Sequence, residues 1–286
     1  MASFDIPIKQ YKVMNKTTSS LILAAGISAA PAFSQTMLFD FGPTTVTGAD
    51  LTNSPGHEDG GLTGADTSWN LVQVTDISSG LVTSTGTASA VGINLGVEST
   101  SSSNIINFGS QPSSSSQLGT QLFSGVYSNT SVARDGIFNS FNSEPWAIGV
   151  KLDGLAAGEY NIYITARNTN TLTAQPTTVF GDAISNTDAT FDYNSITGSS
   201  IANGTNSTSS GPYTGFEEGG NYGFLTITLS AGQSLALAIS GDGAGNDGRG
   251  FLNSIEIVAV PEPSTYVTLM ASLTLLGALA IRRKKQ

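Results

Sequence analysis

The 286-residue chain contains no cysteine, so a disulfide framework, a thiolate metal site and a cysteine nucleophile are all excluded. Charge is scarce as well: 11% of residues are Asp, Glu, Lys or Arg, where about 25% is usual for a soluble domain. Cations are rarest in the middle. Between residues 35 and 260 there are four (Arg134, Lys151, Arg167 and Arg249) against 19 Asp and Glu, a net charge of −15. A surface so acidic repels a phosphate backbone, which excludes nucleic acid as a partner. His57, in SPGHEDGG, is the one histidine. A Ser-His-Asp triad would have to use it, and a His-based zinc site lacks its second ligand. Between the two apolar ends no stretch shows a 3.6-residue apolar stripe, and no internal repeat marks a propeller or a β-helix. What remains is enough for a core, since 39% of residues are hydrophobic.

The apolar ends carry the clearest signals. From Met14, an alternative start, Lys16 leads into the apolar run Leu21–Ala30, and Ala32 and Ser34 stand at the small-residue positions before a cut ahead of Gln35. This is the layout of a secretory signal peptide over residues 1–34, read by the Sec translocon and signal peptidase. A cut after Ala32 is the alternative. An amphipathic helix packed in the domain fits poorly, because the run has no polar face.

At the other end, Tyr266–Ile281 is a run of 16 uncharged residues followed by Arg282, Arg283, Lys284 and Lys285. A helix of this length spans about 24 Å, short of the ~30 Å hydrocarbon core. Tyr266 at one interface and snorkelling cations at the other make a short span workable. The cation cluster marks the cytoplasmic side, the same topology that the signal peptide sets.

Pro261-Glu262-Pro263-Ser264, then an apolar run, then Arg282–Lys285, resembles the PEP-CTERM protein-sorting signal of Gram-negative bacteria. The resemblance covers residues 260–286. It implies an inner-membrane-anchored precursor, recognition by an exosortase, a cut near Pro261–Pro263, and release of the ectodomain to the cell surface or extracellular matrix. The two prolines deny this segment helix and sheet hydrogen bonds, which keeps it extended just outside the bilayer.

Residues 35–259 read as strands. Tyr160, Ile162, Ile164 and Ala166 alternate with Asn161, Tyr163, Thr165 and Arg167. Leu225, Ile227 and Leu229 share one side, as do Leu235, Leu237 and Ile239, and with Ala231-Gly232 as a tight link Tyr222–Ser240 reads as a hairpin. Phe251–Val258 reads as one closing strand with Phe251, Asn253, Ile255 and Ile257 together. Met37–Phe41, Leu71–Thr75, Asn104–Phe108 and Trp146–Leu152 are further candidates, whereas the Ser/Thr/Gly-rich stretches Thr83–Ala90, Ser99–Gln117 and Asn194–Thr214 read as loops. The fold expected is an all-β, antiparallel, jelly-roll-like β-sandwich, flanked by an N-terminal signal helix and a single C-terminal transmembrane helix. The run from Asp40-Phe41-Gly42 through GLAAGEYNIYITARN to GFLNSIEIV resembles sandwiches of the galactose-binding and carbohydrate-binding-module type, in which a final strand packs back on the first.

Catalytic groups are few. Glu144, Glu159, Glu217, Glu218 and Asp135 offer carboxylates for glycoside hydrolysis, but they read as solvated loop acids, and no catalytic residue is expected. Asp242, Asn246 and Asp247 place hard oxygen ligands on a glycine-flexible stretch, which suits a structural Ca²⁺ although the spacing departs from an EF-hand. Trp69, Tyr213 and Tyr222 are the aromatic candidates for stacking on sugar, while Trp146 shares parity with core residues. The expected function is that of an exported, non-enzymatic surface or matrix protein associated with exopolysaccharide or biofilm. The alternatives are a surface carbohydrate-binding module and, behind it, a divergent glycosidase or esterase.

Replacing Pro261-Glu262-Pro263 by three alanines is expected to leave an uncut precursor in the inner membrane, read by fractionation and immunoblot. Normal arrival of that variant at the surface would remove the address role.

Overall fold

Short alternating runs and glycine turns make two facing sheets. The computed structural model describes residues 36–43, 68–97, 104–108, 135–140, 147–168, 175–185, 202–208, 218–220, 222–241 and 248–261. The chain divides into two units, Met1–Phe33 and Ser34–Gln286, and every described residue lies in the second. The expected signal helix, the apolar run 266–281 and the tail 282–285 lie outside the described residues. Among the described residues no helix is long and apolar enough to cross a membrane.

The strands are β1 (Met37–Phe41), β2 (Asn70–Val72), β3 (Gly92–Val97), β4 (Ile105–Phe108), β5 (Gly136–Asn139), β6 (Ala147–Asp153), β7 (Gly158–Thr165), β8 (Gln175–Ser185), β9 (Ala202–Thr208), β10 (Gly223–Leu229), β11 (Gln233–Gly241), β12 (Phe251–Leu252) and β13 (Ser254–Val260). A front sheet has the order β10-β7-β13-β1-β2, a back sheet β3-β6-β11-β8-β9, and a small end sheet β12-β5-β4. Pairing is antiparallel except between β1 and β2. Phe39, Ile162, Ile164, Leu225, Ile255 and Ile257 of the front sheet share one core with Ile148, Val150, Leu152, Leu235, Leu237 and Ile239 of the back sheet. Two sheets closed over one apolar layer form a β-sandwich, with antiparallel pairing throughout apart from that one edge. As expected, β13 packs back on β1, with Met37 opposite Ile257 and Asp40 opposite Ser254. Tyr160 faces this core, and its hydroxyl donates to the Ala156 carbonyl at 2.8 Å, tying β7 to the turn before it. Burial raises the pKa of that phenol above its ordinary value.

Two readings of the strand pattern are corrected. Tyr222–Ser240 is not a hairpin: β10 pairs with β7 in the front sheet and β11 with β6 and β8 in the back sheet. The tight link is an arch across the sandwich. Period-2 alternation is the same whether two strands share a face or confront each other across a core, so the pattern alone does not separate the cases. At the link Gly232 adopts φ 78, and the Gln233 side chain accepts a hydrogen bond from the Ser230 amide at 2.7 Å. Phe251–Val258 is likewise not one strand. It breaks at Asn253, whose Oδ1 accepts from the Arg167 amide at 2.6 Å and whose Nδ2 donates to the Asp135 carbonyl at 2.8 Å. These bonds carry the chain from the end sheet to the front sheet. Phe251 therefore stacks on Phe138, with centroids 5.3 Å apart, while Ile255 and Ile257 enter the core.

The expected loop Asn194–Thr214 contains β9, which pairs with β8 from Gln175↔Thr208 to Gly181↔Ala202. Its sequence, ANGTNST, carries no alternation, and backbone bonds to β8 hold it. β8 hides its own pattern at Gly181, where a Cβ would lie 2.5 Å from Ile227 Cδ1 and 2.9 Å from Leu225 Cδ1. An added methyl there requires the ends of the Ile227 and Leu225 side chains to shift. Gly181→Ala is expected to lower stability by about 1–3 kcal/mol through overpacking, even though a less flexible unfolded chain offsets part of that. A urea midpoint unchanged from the parent would show that the Ile227 and Leu225 side-chain ends move aside at no net cost.

Candidate functional site

The outer face of the front sheet gathers two of the three aromatic candidates. In β7, β13 and β1, Tyr163, Thr165, Glu256, Ser254, Leu38 and Asp40 point away from the core, because Ile162, Ile164, Ile255, Ile257, Phe39 and Phe41 point into it. The ladder puts Tyr163 beside Glu256 and Glu256 beside Leu38. The next row runs Thr165, Ser254, Asp40 and Leu71. At the β10 edge Tyr163 packs on Phe224, with centroids 5.1 Å apart, and on Tyr222 at 6.0 Å. At the opposite edge Trp69 immediately precedes β2, and strand alternation carries it to the outer side with Leu71. Four strand spacings separate the edges, about 19 Å.

The centre of this face is closed to solvent: Leu38 and Glu256 are 0% exposed, and Asp40 and Thr165 are 1%. Its rims are open in part, since Trp69, Tyr222 and Phe224 are half-buried. Two polar atoms of the face, Trp69 Nε1 and Thr165 Oγ1, are buried without a hydrogen-bond partner. Such groups are uncommon in folded proteins.

Strand alternation reveals which face each residue occupies but not the burial of that face. Asp40 and Glu256 are not among the candidate acids, and strand alternation in LFDF and IEIV does not reveal that the face they occupy is buried. Asp135, expected as a solvated loop acid, is 1% exposed, and its Oδ2 sits where a Cβ on Gly42 would stand 2.6 Å away. The end of β1, the start of β5 and the Asn253 bend thus meet in one buried junction. Arg167 is also fully buried. Glu159 and Glu218 are exposed, as expected of solvated acids.

The calcium candidates Asp242, Asn246 and Asp247 lie outside the described residues, as do Tyr213, Trp146 and His57. The two flanks of the calcium stretch are described. Gly241 and Gly248 approach so closely that a Cβ on Gly241 would fall 2.5 Å from the Gly248 carbonyl oxygen. The two glycines are therefore in close backbone contact. Among the described residues no cluster of His, Asp or Glu is arranged to hold a metal ion.

Of the sorting motif only Pro261 is described, exposed and directly after β13, while Glu262, Pro263 and Ser264 lie beyond. Residues 259–284 match the PEP-CTERM protein-sorting motif. The match begins at Ala259, two residues inside the end of β13. It implies export and a membrane-anchored precursor processed to the cell surface. Curated proteins give no match. Among solved structures, TmCBM61 in complex with β-1,4-galactotriose aligns over 59% of this chain and 88% of its own, at 10% identity and TM-score 0.29. A chain from a structure of carbohydrate-binding modules of the β-sandwich superfamily aligns over 66% of this chain and 63% of its own, at 12% identity and TM-score 0.20. An Arthrobacter globiformis T6 isomalto-dextranase complexed with panose aligns over 59% of this chain but 22% of its own, at 17% identity and TM-score 0.24. At these scores the alignments carry no functional argument, which rests on the residues.

Because the Trp69 indole N–H has no acceptor, Trp69→Phe is expected to leave folding stability within about 1 kcal/mol of the parent, as loss of a buried unsatisfied donor offsets loss of ring contact. A fall beyond about 2 kcal/mol in urea unfolding would show that the N–H is bonded in the folded protein.

Proposed function

We propose that this chain is an exported, non-enzymatic surface or matrix protein of a Gram-negative bacterium. An exosortase processes its tail, and its sandwich contributes to an exopolysaccharide or biofilm layer by holding glycan. The observation that carries the reading is the sorting motif joined without a linker to the last strand of the sandwich. The domain is built as the cargo of that address.

The glycan part is supported by the outer face of the front sheet. Half-buried Trp69, Tyr222 and Phe224 offer rings at its rims, and pyranose C–H faces stack on such rings. The acidic middle of the chain favours neutral over anionic polysaccharide. Calcium at Asp242, Asn246 and Asp247 belongs to the same proposal as a structural ion, closing the stretch bracketed by Gly241 and Gly248.

The test is binding of the signal-free, tail-free protein, residues 35–260, to a panel of neutral and acidic polysaccharides, with and without Ca²⁺. Saturable binding to neutral glycans is expected, weakened about tenfold or more in Trp69→Ala or Tyr222→Ala, a loss of ~1.4 kcal/mol or more. Binding undiminished in both variants would place any glycan site elsewhere. Absence of binding across the panel would leave assembly rather than glycan recognition as the role of the sandwich.

A further inference from the structure

The first strand limits where the mature chain can begin. Met37 opens β1 opposite Ile257, and all five residues of the strand are buried. One residue earlier, the Thr36 carbonyl already accepts from the Ser84 amide at 2.9 Å. A signal cut beyond Thr36 would break into a strand that lies between β13 and β2 in the front sheet. The small residues Ala32 and Ser34 place the cut just ahead of that limit, and the boundary between the two compact units, Phe33 to Ser34, falls beside it. Cleavage after Ser34 leaves one residue, Gln35, ahead of the first residue tied into the fold. Gln35 lies outside the described residues, and its covalent chemistry is that of any N-terminal glutamine.

Such a residue carries a nucleophile and an electrophile together. The α-amine titrates close to neutral pH, so part of it is uncharged and able to attack. Its lone pair adds to Cδ of the side-chain amide and closes a five-membered ring. The Cδ–Nε2 bond breaks, one amine proton passes to the departing nitrogen, and ammonia leaves. The product is a lactam, pyroglutamate, formed without oxidant or cofactor. Ring closure within one residue avoids the entropy of bringing two molecules together. The alternative first residue, Phe33, has no side-chain amide and cannot react in this way.

We propose that Gln35 is a modification site: signal cleavage exposes an amine that closes on its own side chain, and the mature protein begins with pyroglutamate. The proposal rests on export through the signal peptide. Its consequence falls on β1. An aminopeptidase grips a free α-amine, and residue-by-residue trimming from Gln35 would reach Thr36 and then Met37, the first ladder position of the strand. The chain has no disulfide to hold β1 by another route. A lactam denies the first step of that trimming.

The test uses the full chain, exported with its own signal peptide and purified promptly at neutral pH. Denatured protein is cut ahead of aspartate, which releases the peptide before Asp40. Mass spectrometry is expected to find residues 35–39 lighter by one ammonia. Edman degradation is expected to yield no residue until a pyroglutamyl aminopeptidase has acted. A synthetic peptide of residues 35–39, carried through the same steps, measures cyclisation during handling. A free Gln35 amine, or lactam no more abundant than in that control, overturns the proposal. A chain that begins at Phe33, or one still uncut, instead overturns the cleavage on which it rests, and the terminal sequence separates the two results. Gln35→Asn would need a four-membered ring, so this variant is expected to stay open to Edman degradation. It is also expected to lose residue 35 to a broad-specificity aminopeptidase that leaves the parent intact. A terminus equally blocked in Gln35→Asn would show acylation rather than lactam closure and overturn the proposal.

Discussion

The pairing of β13 with β7 on one side and β1 on the other holds the front sheet together. From Ser254 to Val260 every residue of β13 has a partner on β7, and Ser254 to Ile257 have partners on β1 as well. It stands in the middle of the five-strand order, yet it is the last strand made. Without it, β10-β7 and β1-β2 would be two separate pairs with open edges. Ile255 and Ile257 belong to the one core shared by both sheets. Non-local closure of this kind carries a loop-closure cost that only the finished core offsets. For an exported chain without disulfides, that core is the main stabilising term.

The bend at Asn253 makes the closing strand possible. A single amide serves an amide donor on Arg167 and a carbonyl acceptor on Asp135, so two backbone groups without ladder partners are satisfied at one buried point. The same junction fixes Gly42 at φ 125, against Asp135 and the Gly136 amide, where no Cβ fits. Asn70 acts in the same way at the β2 edge. It donates to the Leu38 and Val82 carbonyls and accepts from the Val82 amide, replacing ladder bonds that three residues of strand cannot make. Buried amides at strand ends thus organise where sheets begin and stop, and strand alternation organises which residues enter the core.

That division explains what was legible in the sequence. The inward sets Tyr160, Ile162, Ile164 and Leu235, Leu237, Ile239 were readable, since alternation of apolar and polar residues is a local property. The arch at Ala231-Gly232 was not, because choice of partner strand is non-local and the same two-residue link serves either arrangement. β9 was hidden because ANGTNST carries no apolar–polar alternation, while backbone pairing to β8 defines it. β8 was hidden because Gly181 replaces an apolar residue where β10 approaches. At the candidate site, Trp69 and Tyr222 could be picked out as ring-bearing residues in open surroundings. Their placement on one face of one sheet, with Tyr163, Thr165, Asp40 and Glu256 between, follows from the order β10-β7-β13-β1-β2, which no local pattern encodes.

Fusion of the address to the central strand has a consequence for the released protein. The last ladder position is Val260, and Pro261 lacks the N–H that would extend it. A proline directly after the strand therefore marks a boundary between hydrogen-bonded sheet and accessible peptide. Cleavage at any bond beyond Val260 leaves every β13 pairing in place, so processing removes the anchor without weakening the sheet that the anchor's own strand completes. Cleavage one or two residues earlier would take Ala259 or Val260 out of the ladder opposite Tyr160 and Glu159. The folded sheet itself protects those bonds, because a protease needs an extended strand of its own to bind and these residues already belong to one. The fold and the sorting motif thus share a two-residue overlap, Ala259 and Val260, which belongs to the β13–β7 ladder.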